Sequence, residues 1–189
     1  MTLLSKALRK ECTIPVVLMG YFNPILQYGV DRFCASCVRC GIDGVIIPDL
    51  PVEEYERHYQ KTFQNHGLNL IFLITPQTPE YRIRRIDQLT ETFIYMVSSA
   101  GTTGKRAGFS AEHLAYFDRV EQLKLDHPAI VGFGISNPQL LHQVWQYAAG
   151  AIVGSAFIEA LSKEGSLEQQ VANFIHFITT ERKSKQPVL

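Results

Sequence analysis

The feature that most constrains the fold is an alternation of short apolar runs with longer amphipathic segments along the 189 residues. Each apolar run is short and continuous, which is typical of strands buried on both faces of a parallel sheet. The runs predict strands over Pro15–Met19, Gly44–Pro48, Leu70–Ile74, Phe93–Val97, Ala129–Phe133 and Ala151–Val153.

The amphipathic segments predict helices that follow these strands. They cover Asp31–Cys40, Glu53–His66, Glu80–Leu89, Ser110–Leu123, Pro138–Tyr147, Ala156–Ser162 and Leu167–Thr180. Repeated βα units without an internal linker predict one α/β domain over residues 1–189, built as an open doubly wound sheet or a (β/α)8 barrel. A barrel typically needs about 250 residues and eight units, so this chain would supply about six of them.

The charge balance argues against nucleic-acid and membrane partners. Lys plus Arg is 18 and Asp plus Glu is 18, so the formal net charge is zero. A balanced chain offers no electrostatic footprint for a polyanion. No apolar run reaches the roughly 18 residues of a membrane span.

Three of the four cysteines have metal-site spacing, because Cys34, Cys37 and Cys40 read C-x-x-C-x-x-C. An iron–sulfur run of this type needs a fourth cysteine, and that position holds Gly44. The alternative is that these residues are ordinary buried thiols on a helix. We therefore expect no metal, and we expect reduced thiols in a cytoplasmic protein.

Two glycine-rich turns follow late strands, at 132–136 and at Gly154-Ser155. Glycine lets the backbone approach an anion, and the start of a helix presents free N–H groups. One such turn alone is usually only a turn, but two in adjacent units favour a phosphate site, as after strands seven and eight of a barrel. Neither follows the first strand, which argues against a dinucleotide-binding fold. A third small, polar loop at 98–104 suits either an active-site lid or a simple connector.

Five segments together resemble the tryptophan synthase alpha subunit family, in the family's order and spacing. They are VVLMGYFNPILQYG (16–29), GVIIPDLPVEE (44–54), SSAGTTG (98–104), GFGIS (132–136) and AIVGSA (151–156). That family has a (β/α)8 TIM-barrel fold and cleaves indole-3-glycerol phosphate into indole and glyceraldehyde 3-phosphate in tryptophan biosynthesis. The resemblance extends from the family's second helix to its C-terminus, which implies strands 3–8 of the barrel.

The resemblance also implies roles for individual residues. The substrate phosphate would be held by Gly104, Gly134, Gly154 and Ser155. The indole and glycerol pocket would be lined by Tyr21, Tyr95 and Phe133, although Tyr95 has barrel packing as an equal alternative. Thr103 would support catalysis from the lid, by contact with the catalytic aspartate, and Tyr95 would be a second supporting residue. The beta subunit would be met by Asn23, Pro24, Asp49 and Pro51.

The family's catalytic glutamate and aspartate match no position of this chain, and their motifs would lie before Met1. Retro-aldol cleavage needs positioned proton donors and acceptors, so we expect the chain to be inactive alone. Its other interpretation is a non-catalytic subunit that docks on the beta subunit of an α2β2 assembly. A different phosphate-binding barrel is a third possibility, against which the PDLPVEE loop argues. The resemblance implies no cofactor here and pyridoxal phosphate only on the beta subunit.

Overall fold

The computed structural model describes Arg9 and residues 11–98, 108–132 and 134–180. The described residues form two compact units, one that includes those up to residue 73 together with 80–94, and one that includes 74–79 together with those from residue 95 onward. No helix in the described part of the chain is long and apolar enough to cross a membrane. That residues 1–189 make a single domain stays a prediction.

The first unit holds a three-stranded parallel sheet. Strands β1 (Val17–Met19), β2 (Gly44–Ile46) and β3 (Asn69–Ile71) lie in that order. The register pairs Val17 with Gly44 and Gly44 with Asn69. All three residues of β2 are buried, as the apolar run predicted, whereas Val17 and Met19 of β1 are exposed at the sheet edge.

The helices of the first unit include one that the sequence did not predict, α1 (Phe22–Tyr28). It is followed by α2 (Val30–Arg39), α3 (Val52–Glu54), a π-helical segment (Tyr55–Tyr59), α4 (Gln60–His66) and α5 (Glu80–Leu89).

The cysteines of α2 are buried free thiols: Cys34 and Cys37 lie in the helix and Cys40 at its C-cap. This confirms the prediction that the stretch is a helix whose thiols are ordinary buried groups. Burial raises the pKa of Cys34 to about 12 and that of Cys37 to about 11, so both thiols stay protonated.

The second sheet has four strands in chain order. They are β4 (Leu73–Ile74), β5 (Ile94–Val97), β6 (Ala129–Gly132) and β7 (Gly150–Ile152), and β6 pairs with β7 in parallel. The prediction of one strand over Leu70–Ile74 was wrong, because this run is divided between β3 and β4. The break at Phe72 leaves no trace in the hydropathy, since Leu70, Ile71, Phe72 and Ile74 are all buried.

Four helices of the second unit follow the prediction closely: α6 (Ala111–Gln122), α7 (Pro138–Val144), α8 (Ser155–Ala160) and α9 (Leu167–Thr179). Ser110 caps α6 in a capping box with His113, and Asn137 caps α7 with Pro138 in its first turn. The interior of this unit contains fully buried side chains such as Phe117, Val131 and Val144.

Candidate functional site

The loops that follow β1 and β2 are joined by a hydrogen bond. The Phe22 N–H donates to Asp49 Oδ1 at 2.8 Å, so the Asp49 carboxylate satisfies a free donor in the first turn of α1. The backbone N–H of Gly20 also donates to the Ile46 carbonyl at 3.1 Å, which extends the β1–β2 pairing. The two segments that the resemblance assigns to the beta-subunit interface therefore lie side by side at the C-terminal ends of β1 and β2.

The four residues predicted for the interface are all exposed. Asn23 and Pro24 lie in the first turn of α1, and Tyr21, which the resemblance assigns to the indole and glycerol pocket, precedes this helix and is 72% exposed. Asp49 and Pro51 follow β2, where Pro51 precedes the first turn of α3. The apolar side of α1 packs inward through Phe22, whose ring lies 5.1 Å from that of Tyr59. The structure thus presents a polar and aromatic surface on a fixed backbone.

Glu53 and Glu54 lie in the first turn of α3, as the sequence predicted. Glu53 accepts from Arg82 at 2.9 Å, and Glu56 accepts from Arg85 Nε at 3.2 Å. These pairs tie the helical stretch after β2 to α5. Glu53 and Glu56 therefore have ionic partners on the surface of the unit.

In the second unit Tyr95 packs across the sheet against Gly132. Tyr95 lies on β5 with 5% of its surface exposed, and burial raises its pKa. A Cβ atom added at Gly132 of β6 would overlap the ring and hydroxyl of Tyr95. Next to this contact, Ser98 Oγ donates to the Gly132 carbonyl at 2.9 Å. This packing supports the structural alternative for Tyr95, and its pocket role stays a prediction.

The two glycine-rich turns follow neighbouring parallel strands. The register pairs Gly132 with Ile152, so the C-terminal ends of β6 and β7 lie side by side. Both turns therefore start at the same end of the sheet. Gly134 has φ +78°, a backbone conformation that L side chains rarely adopt. Gly154 precedes α8 and Ser155 begins it, and all three residues are exposed with no atom within 4 Å of the Cβ position at either glycine.

At this end of the two strands, one backbone donor is already occupied, and the exposed Ser155 hydroxyl is present. The Leu140 N–H in the first turn of α7 is already satisfied by Asn137 Oδ1 at 2.9 Å. The Gly154 carbonyl accepts hydrogen bonds from the Phe157 and Ile158 N–H groups, so this carbonyl points into the first turn of α8. The Ser155 hydroxyl is an additional donor at this position.

Three predicted site residues, Thr103, Gly104 and Phe133, lie outside the described residues. Among the residues that are described, no three His, Cys, Asp or Glu side chains come together as a metal site would. Sequence reasoning missed the hydrogen bond from the Phe22 N–H to Asp49. The available signal was Pro24, because proline is tolerated in the first turn of a helix and could have indicated that a helix begins there. It also missed Ser98, a buried hydroxyl that fastens β5 to β6.

The comparison with known families decides the relationship. A family model described as "Tryptophan synthase alpha chain" matches residues 1–186 of the 189. The chain belongs to the tryptophan synthase alpha chain family. The resemblance inferred from the five sequence segments is thereby confirmed.

Curated members of the family are about half identical to the chain. The alpha chain of Flavobacterium psychrophilum is 52% identical over 160 residues, which cover 85% of this chain and 63% of that protein. The alpha chain of Christiangramia forsetii is 52% identical over 170 residues, which cover 90% of this chain and 66% of that protein. The chain thus spans a little less than two thirds of the length of these relatives.

Solved structures of the family share the fold. The tryptophan synthase a2b2 complex of Pyrococcus furiosus contains a chain that superposes with a TM-score of 0.82 at 30% identity. The superposition covers 94% of this chain and 71% of that one. A mutant form of the alpha subunit from the same organism gives a TM-score of 0.80 at 29% identity, with the same coverage. The predicted fold class, a (β/α)8 TIM-barrel family of which this chain supplies about six βα units, is confirmed.

Proposed function

We propose that the chain acts as a tryptophan synthase alpha subunit, a lyase subunit for the aldol cleavage of indole-3-glycerol phosphate to indole and glyceraldehyde 3-phosphate. The observation that carries the proposal is the adjacent pair of exposed turns after β6 and β7, in a member of this family. Gly134, Gly154 and Ser155 hold the phosphate there through backbone N–H groups and the Ser155 hydroxyl. Gly104, Thr103, Phe133, Tyr95 and Tyr21 keep the roles that the resemblance implies.

Phosphate binding is tested by titrating the chain with glycerol 3-phosphate and following binding by calorimetry. Ser155→Ala removes one donor to a charged ligand, and we expect affinity to fall about tenfold. Ser162→Ala is the matched control, since Ser162 is exposed beyond the end of α8 and its hydroxyl donates to the Ile158 carbonyl. Equal affinities for the two variants would contradict the assignment of Ser155.

Catalysis is tested by indole release from indole-3-glycerol phosphate, with and without a beta subunit from a Flavobacterium relative. We expect binding without turnover, because cleavage needs proton transfers and the resemblance assigns the catalytic glutamate and aspartate to no residue of this chain. Measurable turnover would contradict this and would direct attention to Asp49, Glu53 and Glu54.

Docking on the beta subunit is favoured as a second function by the surface after β1 and β2. Asp49 fixes the start of α1, and thereby the exposed Asn23 and Pro24, while Pro51 is exposed two residues after Asp49. An interface that is already ordered loses less entropy on association. The partner is the beta subunit, and the two form an α2β2 tetramer. In this tetramer only the beta subunit carries pyridoxal phosphate. The free thiols of Cys34, Cys37 and Cys40, which are all buried, favour a reducing cytoplasmic location for such an assembly.

Docking is tested by the change in beta-subunit activity and by sedimentation of the mixture. Asp49→Ala frees the α1 end and removes an exposed charge, so we expect binding to weaken about tenfold. Asp118→Ala removes another exposed carboxylate, from α6 of the other unit, and controls for the loss of one negative charge. Unchanged binding by Asp49→Ala would contradict the proposed interface.

A further inference from the structure

The first unit contains a cavity of about 270 Å³ that no part of the proposed function uses. It opens at the N-terminal end of β3, where Leu68 and Asn69 contribute to its wall. Because β1, β2 and β3 are parallel, this end of the sheet is opposite to the one that carries Tyr21 and Asp49. The lining residues are Tyr55, Gln64, Gly67, Leu68, Asn69, Leu70, Leu89 and Glu91.

Tyr55 brings a buried hydroxyl to this cavity. Only 4% of the residue is exposed, and its ring is held edge-on by Phe63 at 5.5 Å and Phe72 at 5.3 Å. The Tyr55 hydroxyl makes no hydrogen bond to another described residue, and the enclosed hydroxyl oxygens without a partner are those of Thr92 and Tyr116, not that of Tyr55. The Tyr55 hydroxyl is therefore left for a partner in the cavity, either a water molecule or a ligand atom.

Tyr55 is also the first residue of the π-helical segment, a geometry that is rare and frequent at functional sites. Burial, and secondly the charge of Glu91, raise the pKa of Tyr55 to about 12. The group is therefore a neutral hydroxyl at physiological pH, with the Glu91 carboxylate nearby. A neutral hydroxyl can accept a hydrogen bond from a cation.

The remaining polar groups of the lining also favour a cation. Glu91 is exposed at the opening, and no Lys, Arg or His side chain is among the lining residues. The Asn69 side-chain N–H donates to the Asp43 carbonyl at 3.1 Å, which leaves its Oδ1 as the acceptor for other partners. Gln64 contributes a second amide, while Leu68, Leu70 and Leu89 form aliphatic walls.

We propose that this cavity binds a small organic ammonium ion. Its N–H groups donate to the Glu91 carboxylate and to the oxygens of Tyr55 and Asn69, and its alkyl part contacts the three leucines. The volume lies just below the range of about 300–1,000 Å³ for ordinary ligand pockets, which restricts the ligand to a few carbon atoms. The site is independent of the proposed function, since it shares none of the residues assigned to phosphate or beta-subunit binding.

The test is a titration of the ¹⁵N-labelled 189-residue chain with n-butylammonium chloride, followed by NMR. We expect saturable, millimolar binding that shifts the amide signals of Gly67, Leu68 and Asn69. Butan-1-ol has the same chain without the charge and butyrate has the opposite charge, so both should bind at least about fivefold more weakly. Equal binding of butyrate, or no saturation by about 100 mM butylammonium, would overturn the proposal.

Two variants separate the site from general surface charge. Glu91→Gln and Tyr55→Phe should each weaken butylammonium binding about three- to tenfold. Glu164→Gln removes an exposed carboxylate from the other unit and should leave binding unchanged. A dispersed NMR spectrum shows that a variant is folded. If Tyr55→Phe is not folded, the affinity of Glu91→Gln alone tests the proposed site. Identical affinities for Glu91→Gln and Glu164→Gln would refute a specific ammonium site.

Discussion

Gly132 shows how a single missing side chain shapes the second unit. Its lack of a Cβ atom makes room for the Tyr95 ring from the neighbouring strand, and its carbonyl accepts two hydrogen bonds from Ser98. Gly132 also begins the turn that leads to Gly134. The residue that packs against Tyr95 and the residue with positive φ are therefore only two positions apart. The sequence motif GFGIS indicated the turn, whereas the packing role of Gly132 depends on a residue of the preceding strand and was not predictable locally.

Gly132→Ala is therefore expected to destabilise the fold by about 1–3 kcal/mol, the usual range for overpacking. Urea denaturation followed by circular dichroism measures the change. Gly150→Ala on β7 is the matched control, because its new Cβ would meet Ile130 only at an ordinary 3.9 Å. If Tyr95→Leu in the same chain fails to restore the loss, the clash with the ring is not its cause.

Asp43 gives a second prediction at this scale, because its folded-state pKa is lowered. The main cause is the hydrogen bond from the Val16 N–H at 2.7 Å, and the ion pair with Arg9 adds to it. A lowered carboxyl pKa contributes stability above its unfolded value near pH 4, and that stability is lost as the pH falls through the folded value.

Asp43→Asn should thus lower the urea midpoint at pH 7, and the difference from the parent chain should shrink at about pH 3. Asp118→Asn, on an exposed surface of α6, should change little at either pH. A deficit for Asp43→Asn that is as large in acid as at neutral pH would show that the charge is not responsible.

At the scale of elements, the strands and capped helices were predictable because local signals specify them. Ser110, Asn137 and Pro138 mark helix starts by chemistry that needs no tertiary partner. By contrast, α1 was missed because it has only seven residues and contains Pro24, although Phe22, Ile25 and Leu26 have helical i, i+3, i+4 spacing. The division of the run at Phe72 also depends on which sheet each half joins, and no local pattern records that.

The cap of α7 can be tested directly. Asn137→Ala removes the acceptor for the Leu140 N–H and should cost about 1 kcal/mol of unfolding free energy. Asn137→Ser keeps a capping oxygen and should recover most of the loss in the same urea experiment. The interpretation fails if the serine variant is as unstable as the alanine variant.

For the whole molecule, the balanced charge has a measurable effect. The formal net charge is zero and the sequence isoelectric point is about 7.0, while Ile14, Met19 and Tyr21 are large exposed apolar residues of the first unit. Little electrostatic repulsion opposes association at neutral pH under these conditions.

We therefore expect solubility to be lowest near pH 7 and to rise at about pH 9, as measured by light scattering at equal protein concentration. Met19→Glu adds a charge at the exposed edge of β1 and should raise solubility at neutral pH. Met19→Gln adds a polar side chain without a charge at the same position and serves as the control. Constant scattering across the pH range would indicate association by another route.

The family relationship and the positions of the phosphate turns were accessible from sequence because these motifs are contiguous. The cavity beside Tyr55 was not, because its lining comes from separate segments whose contact exists only in the folded unit. Physical reasoning on sequence alone therefore found the sites that contiguous motifs mark and missed the one that only the folded first unit assembles.

The π-helical segment at Tyr55–Tyr59 also affects how this lineage can change in length. A π turn holds about one more residue than an α turn, so deleting one residue there would leave a regular helix instead of rotating everything that follows. Single-residue gaps between the α3–α4 stretch of this chain and that of its relatives should accordingly fall at this segment. An alignment gap at 55–59 would then mark a local change in helix winding and not a loop of variable length.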